Sequence, residues 1–136
     1  MQVLADSIAA DPIHLARCWT DMWNRGIGAR DVISADCCVY FGRVAQFDRP
    51  SVTSGWRELQ SVVDGIAKRF PGIRYSFVSE PRYQSDDDDS GLITLLWNVE
   101  IPGAGRKSGI DLLRHRGDLI TEVWSITADL ELPGMA

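Results

Sequence analysis

The sequence predicts an α+β fold in one domain, with helices placed largely ahead of a run of antiparallel strands. Its first half contains segments in which apolar residues recur every three or four positions, the spacing of an amphipathic helix. From Ile73 onward the pattern changes to an alternation of period two, which is typical of half-buried strands. A length of 136 residues suits a single domain covering residues 1–136.

The first predicted helix lies in "DPIHLARCWTDMWNRG", where Asp11 can cap the helix and Pro12 can occupy its first position. Leu15, Trp19 and Trp23 form its apolar face. A short second helix is expected in "ARDVIS". The segment "DCCVYFGRV" predicts a strand, because it is rich in β-branched and aromatic residues.

The stretch "FDRPSVTSG" is expected to be a loop that leads into a third helix, capped by Ser54 and running to Phe70. The segments "IRYSFVS" and "GLITLLWNVEI" then predict two strands. On the second of these, one face carries Ile93, Leu95, Trp97, Val99 and Ile101. Two further strands, joined by a tight turn in "SGIDLLRHRGDLITEVW", run to about Asp129. Three helices on the concave side of a curled, mostly antiparallel sheet would give a cone with a pocket at its open end.

Composition and short motifs argue against several partners. The formal net charge is −5 and no block of Lys or Arg occurs, so nucleic acid is not expected as a partner. The opening "MQVLADSIAADP" is unlike a signal peptide and no segment is apolar enough for a membrane helix, so we expect a cytoplasmic protein. His14 and Cys18 share a helical face without a second ligand pair. The like-charge run "SDDDDSG" is expected to be a solvated loop between strands, and it lacks the spacing of a calcium loop. No metal is therefore predicted, and since "PGAGRKSG" is no phosphate cradle, no cofactor is either.

Asp111 is the most informative residue of the sequence, because it interrupts an apolar strand. Its strand places Asp111, Leu113 and His115 on one face, with Asp111 and His115 about 13 Å apart. Asp111 could lie on the outer face of the sheet and pair with Arg106 or Arg114. Alternatively it lies in the pocket, where apolar surroundings would raise its pKa and let it act as an acid or a base.

Other candidate pocket residues follow from strand alternation. Tyr40 could present its hydroxyl to a ligand carbonyl, and Trp97 and Trp124 could form flat apolar walls. Glu122 shares a face with Trp124 and is either a second carboxylate of the site or an ordinary exposed glutamate. His115 could shuttle protons, although its position near a turn favours the rim.

Four segments carry a resemblance to a known family. They are the Trp-bearing first helix, "SADCCVYFG", "GWRELQSVVDGIAKRFPGIRY" and "GIDLLRHRGDLITEVWSITAD". Together they resemble the NTF2-like superfamily, in particular its SnoaL-like branch of polyketide cyclases. The resemblance implies a cone-shaped, cystatin-like α+β fold that is commonly dimeric and holds a deep apolar pocket. Members include cyclases, ketosteroid isomerases, dehydratases and epoxide hydrolases, as well as domains without catalytic activity.

The resemblance also implies roles for individual residues. Asp111 corresponds to the pocket acid of ketosteroid isomerases, which stays protonated and donates a hydrogen bond to the developing oxyanion. Trp19 takes the approximate position of that enzyme's tyrosine, and the position of its general base falls near Phe41 or Gly42, neither of which can accept a proton. A steroid-type isomerase is therefore not expected. An epoxide hydrolase is not expected either, because "LLWNV" stands where its Arg-x-Asp pair would be.

The sequence as a whole predicts a cofactor-independent enzyme that acts by proton transfer on a small apolar carbonyl compound. Its reaction would be a cyclisation, an isomerisation or a dehydration, with Asp111 and Tyr40 as catalytic residues and Trp19 among those that contact the ligand. The alternative is a non-catalytic module of the same fold that binds a small hydrophobic ligand or dimerises. We also expect a homodimer formed through the outer face of the sheet, which the helices leave uncovered.

Overall fold

A computed structural model describes residues 11–42 and 51–134 of the chain. The elements in chain order are α1 (Pro12–Trp23), a 3-10 turn (Ala29–Asp31), β1 (Ile33–Gly42), β2 (Ser51–Ser54), α2 (Gly55–Arg69), β3 (Arg74–Phe77), β4 (Arg82–Asp87), β5 (Ser90–Ile101), β6 (Gly105–Arg116) and β7 (Leu119–Thr127). Neither α-helix in these two ranges has the length and apolar character needed to cross a membrane.

The seven strands form one curved sheet in the order β2-β1-β7-β6-β5-β3, and β4 also pairs with β5. Neighbouring strands are antiparallel except for β1 and β7, which are parallel. The register shifts in β1 and again in β6, between Arg114 and His115, and such irregularities bend a sheet. Both α-helices pack against one face, which we call the inner face. The α+β class and the mostly antiparallel sheet are confirmed.

The expectation of three N-terminal helices is wrong. The described residues contain two α-helices, and the second of these follows β1 and β2 instead of preceding the sheet. The segment "ARDVIS" forms only the 3-10 turn, because Val32 and Ile33 are buried and the chain enters β1 at Ile33. A helical segment of this length closes too few hydrogen bonds to offset the cost of nucleation.

Two segments that were expected to be loops contain strands. In "FDRPSVTSG", Ser51–Ser54 pairs with β1, whereas residues 47–50 lie outside the described residues. In "SDDDDSG", Ser85 to Asp87 complete β4, in which every residue is exposed. Aspartate is depleted in strands. The aspartate-rich composition therefore did not indicate β4, an edge strand in which all residues are exposed.

The core lies between the helices and the inner face. Asp11 caps α1 by accepting a hydrogen bond from the backbone N–H of Ile13 at 3.0 Å, as expected. In β5, Ile93, Leu95, Trp97 and Val99 are buried on the predicted face. In α2, Leu59 and Val63 are fully buried, while Ile66 and Phe70, nearer the helix end, are only partly covered. The packing therefore loosens toward the C-terminal end of α2, and a cavity opens there.

Candidate functional site

A cavity of about 80 Å³ lies on the inner face, between α1, the end of α2 and the strands β1, β3, β5, β6 and β7. It is lined by Trp19, Thr20, Trp23, Phe41, Ile66, Tyr75, Leu95, Trp97, Asp111, Ser125 and Thr127. Five of these side chains are aromatic, and among the described residues of the lining Asp111 is the single carboxylic acid. The cavity is thus mainly apolar, with one carboxylic acid in its described lining.

Asp111 is almost completely buried, with 3% of its surface exposed, whereas the preceding Ile110 is 44% exposed on the outer face. The indole Nε1–H of Trp19 donates a hydrogen bond to Oδ2 of Asp111 at 2.8 Å. The other oxygen, Oδ1, has no hydrogen-bond partner within the described part of the chain. Burial raises the pKa of Asp111, and the polar groups of Ser125, Trp19 and Trp97 oppose that shift only in part. Asp111 therefore retains its proton to a higher pH than an exposed aspartate does.

Trp97 forms the wall beside Asp111, and a glycine makes room for it. Trp97 pairs with Gly109 across β5 and β6, and a Cβ atom added to Gly109 would overlap the six-membered ring of the indole. Any side chain at position 109 would therefore displace the ring. The indole is 8% exposed, and its Nε1–H has no acceptor among the residues that the structure describes. The N–H of Trp97 and Oδ1 of Asp111, both without a partner among the described residues, thus lie close to the same cavity.

After Asp111, Tyr75 is the second residue of the cavity lining whose side chain can ionise. Its ring centroid lies 5.6 Å from those of both Trp23 and Trp97. Asn24 holds the backbone of Tyr75, accepting from its N–H at 2.8 Å and donating to its carbonyl oxygen at 2.9 Å. Burial, reinforced by the charge of Asp111, raises the pKa of Tyr75 to about 12. Tyr75 is therefore a neutral phenol at physiological pH and can donate a hydrogen bond to a ligand.

Three of the residues predicted to form the site do line the cavity: Asp111, Trp19 and Trp97. The expectation is wrong for Tyr40, Glu122 and Trp124, which lie on the outer face of the sheet. The rings of Tyr40 and Trp124 stack there with centroids 6.0 Å apart, and an oxygen of Glu122 lies 4.0 Å from Nε of Arg114. Their neighbours Val39 and Val123 are the residues buried on the inner face. Because side chains alternate along a strand, choosing the wrong set of positions as the inward one places every side chain on the opposite face.

His115 is on the inner face, as the alternation predicted, but it does not line the cavity and is not at a rim. It is 2% exposed and lies four positions beyond Asp111 on β6. Its Nε2 is 2.8 Å from the hydroxyl of Tyr83, and its Nδ1 is 2.9 Å from the carbonyl oxygen of Gly117. Since the carbonyl can only accept, Nδ1 carries a hydrogen, and both ring nitrogens are occupied by structural contacts.

The sequence reading missed Tyr75 and the small polar residues Thr20, Ser125 and Thr127. Tyr75 did alternate with Phe77 on a predicted strand, yet its distance from Asp111 depends on how β3, β5 and β6 pair. Ser125 is directly opposite Asp111 in the register of β6 and β7. Within the two described ranges, no three His, Cys, Asp or Glu side chains are close enough together to hold a metal ion.

Comparison with solved structures identifies the fold. The chain superposes on a proposed isomerase of the SnoaL-like family from Agrobacterium tumefaciens with a TM-score of 0.65 and 13% identity, over 85% of this chain and 95% of that one. It superposes on IdmH, a proposed polyketide cyclase from Streptomyces antibioticus, with a TM-score of 0.66 and 16% identity, over 88% and 93% of the two chains.

An NTF2-like protein of unknown function from Mesorhizobium loti gives a TM-score of 0.66 at 16% identity, over 86% of this chain and 90% of that one. No family model matches the sequence, and no curated protein matches it either. At these levels of identity the comparisons show the fold alone. The chain therefore has the NTF2-like, cystatin-like fold that its sequence suggested.

Proposed function

We propose that this chain is a cofactor-independent enzyme that transfers a proton on a small, mostly apolar carbonyl compound. The observation that carries the proposal is a buried carboxylic acid with one unpaired oxygen on the wall of an apolar cavity, namely Asp111. A buried acid with a raised pKa beside a cavity is the arrangement that general acid–base catalysis uses.

The proposed reaction begins when ionised Asp111 removes a proton from the carbon next to the ligand carbonyl. The electron pair of the broken C–H bond forms a carbon–carbon double bond, and the π pair of the carbonyl moves to its oxygen, which gives an enolate. Tyr75 and the indole N–H of Trp97 donate hydrogen bonds to that oxygen and stabilise its charge. Trp19 holds Oδ2 of Asp111, so that Oδ1 remains available for the proton.

The fate of the enolate would distinguish the possible reactions. Return of the proton from Asp111 to a different carbon gives an isomer. Attack of the enolate carbon on a second carbonyl of the same molecule closes a ring, and Asp111 returns its proton to the alkoxide that forms. Departure of a hydroxyl group from the neighbouring carbon, together with the proton of Asp111, releases water and gives a dehydrated product. The names of two neighbours, a proposed isomerase and a proposed polyketide cyclase, support this range of reactions.

The proposal is tested by proton exchange on model ketones, from cyclopentanone to 2-tetralone, in deuterated water. NMR would follow the loss of the protons next to the carbonyl. Asp111→Asn is expected to slow enzyme-dependent exchange by about 100-fold or more, which is the usual contribution of a general base. Asp118→Asn, which changes an exposed turn residue, is the matched control and should leave the rate unchanged. Equal rates for Asp111→Asn and the parent chain would refute the assignment.

A second candidate is a binding module without catalysis. The described lining holds a single carboxyl group, so a second carboxyl that could act as acid or base in proton transfer is missing from it. Phe41 also lines the cavity where a second proton acceptor would be useful. A chain that binds ketones but exchanges none of their protons would support this alternative.

We also propose that the chain forms a homodimer through the outer face. Ile110 and Ile126 pair across β6 and β7 and are 44% and 55% exposed, beside the stacked rings of Tyr40 and Trp124. An apolar patch of this kind is unusual on a free surface. Sedimentation velocity should give the mass of a dimer for the parent chain and of a monomer for Ile126→Lys. A monomeric parent chain would contradict the proposal.

Localisation in the cytoplasm stays a prediction. Cys18, Cys37 and Cys38 all carry free thiols, the state that a reducing compartment maintains. Burial, with smaller contributions from neighbouring groups, raises the pKa of Cys37 to about 12, so this thiol is a packing residue and not a nucleophile.

A further inference from the structure

A second cavity, of about 380 Å³, adjoins the first at the open end of the fold. The two cavities share Ile66, Tyr75, Trp97 and Thr127 in their linings. We call the second one the mouth cavity. It is lined by the part of α2 from Ser61 to Arg69, by Phe70, Ile73 and Tyr75 after that helix, and by facing residues of β5, β6 and β7. A ligand that reaches Asp111 from solvent along these shared residues would occupy both cavities.

Two cations face the mouth cavity, Arg69 and Lys107, and the described lining contains no carboxylate. In the described ranges neither cation has a carboxylate within ion-pair distance, although the protein has 19 acidic residues and only 14 Lys and Arg. Within the described ranges Lys68 also has no ion pair, but Arg69 and Lys107 share one cavity with the walls of the site.

Arg69 has a local role as well. It lies in the last turn of α2, where a cation offsets the helix dipole, and its guanidinium is 5.3 Å from the ring centroid of Phe70. Neither reason applies to Lys107, which lies on a strand and is partly buried on the inner face. Lys107 is therefore the residue on which the inference depends.

Strand geometry fixes the spacing between Lys107 and the acid. Lys107, Gly109 and Asp111 alternate on the inner face of β6, so that Lys107 and Asp111 are about 13 Å apart along the strand. The indole of Trp97 covers Gly109 between them. A positive charge at the mouth, a flat apolar wall and a buried acid thus follow one another along a single strand.

We propose that the ligand is an elongated amphipathic carboxylic acid whose carboxylate binds Lys107 and Arg69 at the mouth. Its apolar body lies along Trp97, and its far end reaches Asp111. The charges also set its direction, because an ionised Asp111 repels the ligand carboxylate from the inner cavity while the two cations attract it outside. The reaction at the inner end rests on the proposed function. Binding of the carboxylate at the mouth cavity does not depend on that reaction and is measured separately.

The experiment compares 2-naphthylacetic acid with 2-naphthylacetamide, which has the same shape and no charge, by isothermal titration calorimetry. The acid is expected to bind about tenfold more tightly, as a partly exposed charge-assisted hydrogen bond allows. Lys107→Met should lower the affinity for the acid toward that for the amide, with Arg69 retaining part of the preference, and should leave the amide unaffected. Lys68→Met, an exposed cation outside the lining, is the matched control and should change neither.

Two further measurements separate this inference from the proposed function. Raising the salt concentration from 0.01 to 0.5 M should weaken binding of the acid alone, since exposed charges are screened over about one Debye length. Asp111→Asn should leave the preference for the acid in place. Equal affinity for acid and amide, or no binding of the acid, overturns the inference even if ketone exchange is observed. A preference that depends on Lys107 in a chain without exchange activity supports the inference and rejects the proposed function.

Discussion

Two titratable side chains, His115 and Asp111, are buried on the same face of β6, and their surroundings differ in one respect. At His115, the ring of Tyr83 covers Gly91, where a Cβ atom would overlap the tyrosine. Both nitrogens of the imidazole have partners, the Tyr83 hydroxyl and the carbonyl oxygen of Gly117. His115 is thus fully satisfied by the protein itself.

At Asp111, the local construction is similar but incomplete. Trp97 covers Gly109 as Tyr83 covers Gly91, and Trp19 occupies one carboxyl oxygen. The second oxygen and the N–H of Trp97 have no partner in the described part of the chain, and both residues line a cavity.

The comparison shows that burial of a titratable group is by itself a poor indicator of function. Buried polar atoms without hydrogen-bond partners are costly. Two such atoms beside one open cavity, Oδ1 of Asp111 and the N–H of Trp97, therefore need an explanation. The proposed ligand would provide one at Asp111, because it would supply the missing partners. At His115 no such explanation is needed.

The largest effect on stability is expected at Gly109, the glycine that lies beneath the indole of Trp97 next to Asp111. Gly109→Ala should lower the free energy of unfolding by about 2–3 kcal/mol, because the new methyl group displaces the buried indole of Trp97. In a Trp97→Val background the same change should cost less than about 0.5 kcal/mol, a coupling that a double-mutant cycle in urea measures. Equal costs in the two backgrounds would show that the ring does not depend on the glycine.

Leucine substitutions probe the comparison directly. His115→Leu should cost about 2 kcal/mol, since it removes the imidazole from the Gly117 carbonyl and leaves the Tyr83 hydroxyl with only its 3.4 Å hydrogen bond to the carbonyl oxygen of Ser90. Asp111→Leu should change stability by less than about 1 kcal/mol in either direction, because the lost bond to Trp19 is offset by removal of a poorly satisfied acid. Urea unfolding measures both changes, and a larger cost for Asp111→Leu would reverse the interpretation.

The dependence of stability on pH should report the environment of Asp111. Because the pKa of Asp111 is raised in the folded chain, the folded state binds more protons than the unfolded state between the unfolded and the folded pKa. The parent chain should therefore lose stability relative to Asp111→Asn as the pH rises from about 4 through the folded pKa, with a constant difference below that range. Parallel stability curves for the two chains would contradict the raised pKa.

The sequence left open whether Asp111 faces the pocket or the outer side of the sheet. On β6, one set of alternating positions holds Leu113 between Asp111 and His115, and the other holds Ile110 and Leu112 beside Arg114, so neither set is clearly the apolar one. On β1 and β7 both sets are largely apolar, and Val39 and Tyr40 compete for the core without a clear signal. Their faces are decided by the parallel pairing of β1 with β7, which connects distant segments and cannot be deduced from alternation. The position of Tyr75 beside Asp111 depends on long-range pairing in the same way.

The smallest expected effects come from removing one hydroxyl group in each region. Tyr83→Phe should lower the free energy of unfolding by about 1 kcal/mol, since it removes the partner of His115, and should leave ketone exchange unchanged. Tyr75→Phe should leave stability almost unaltered and slow the exchange by about tenfold, because the hydroxyl is proposed to donate to the enolate oxygen. Both chains are measured by urea unfolding and by NMR exchange. If Tyr75→Phe lost stability but kept its exchange rate, Tyr75 would be a structural residue like Tyr83, and stabilisation of the enolate would be left to Trp97 alone.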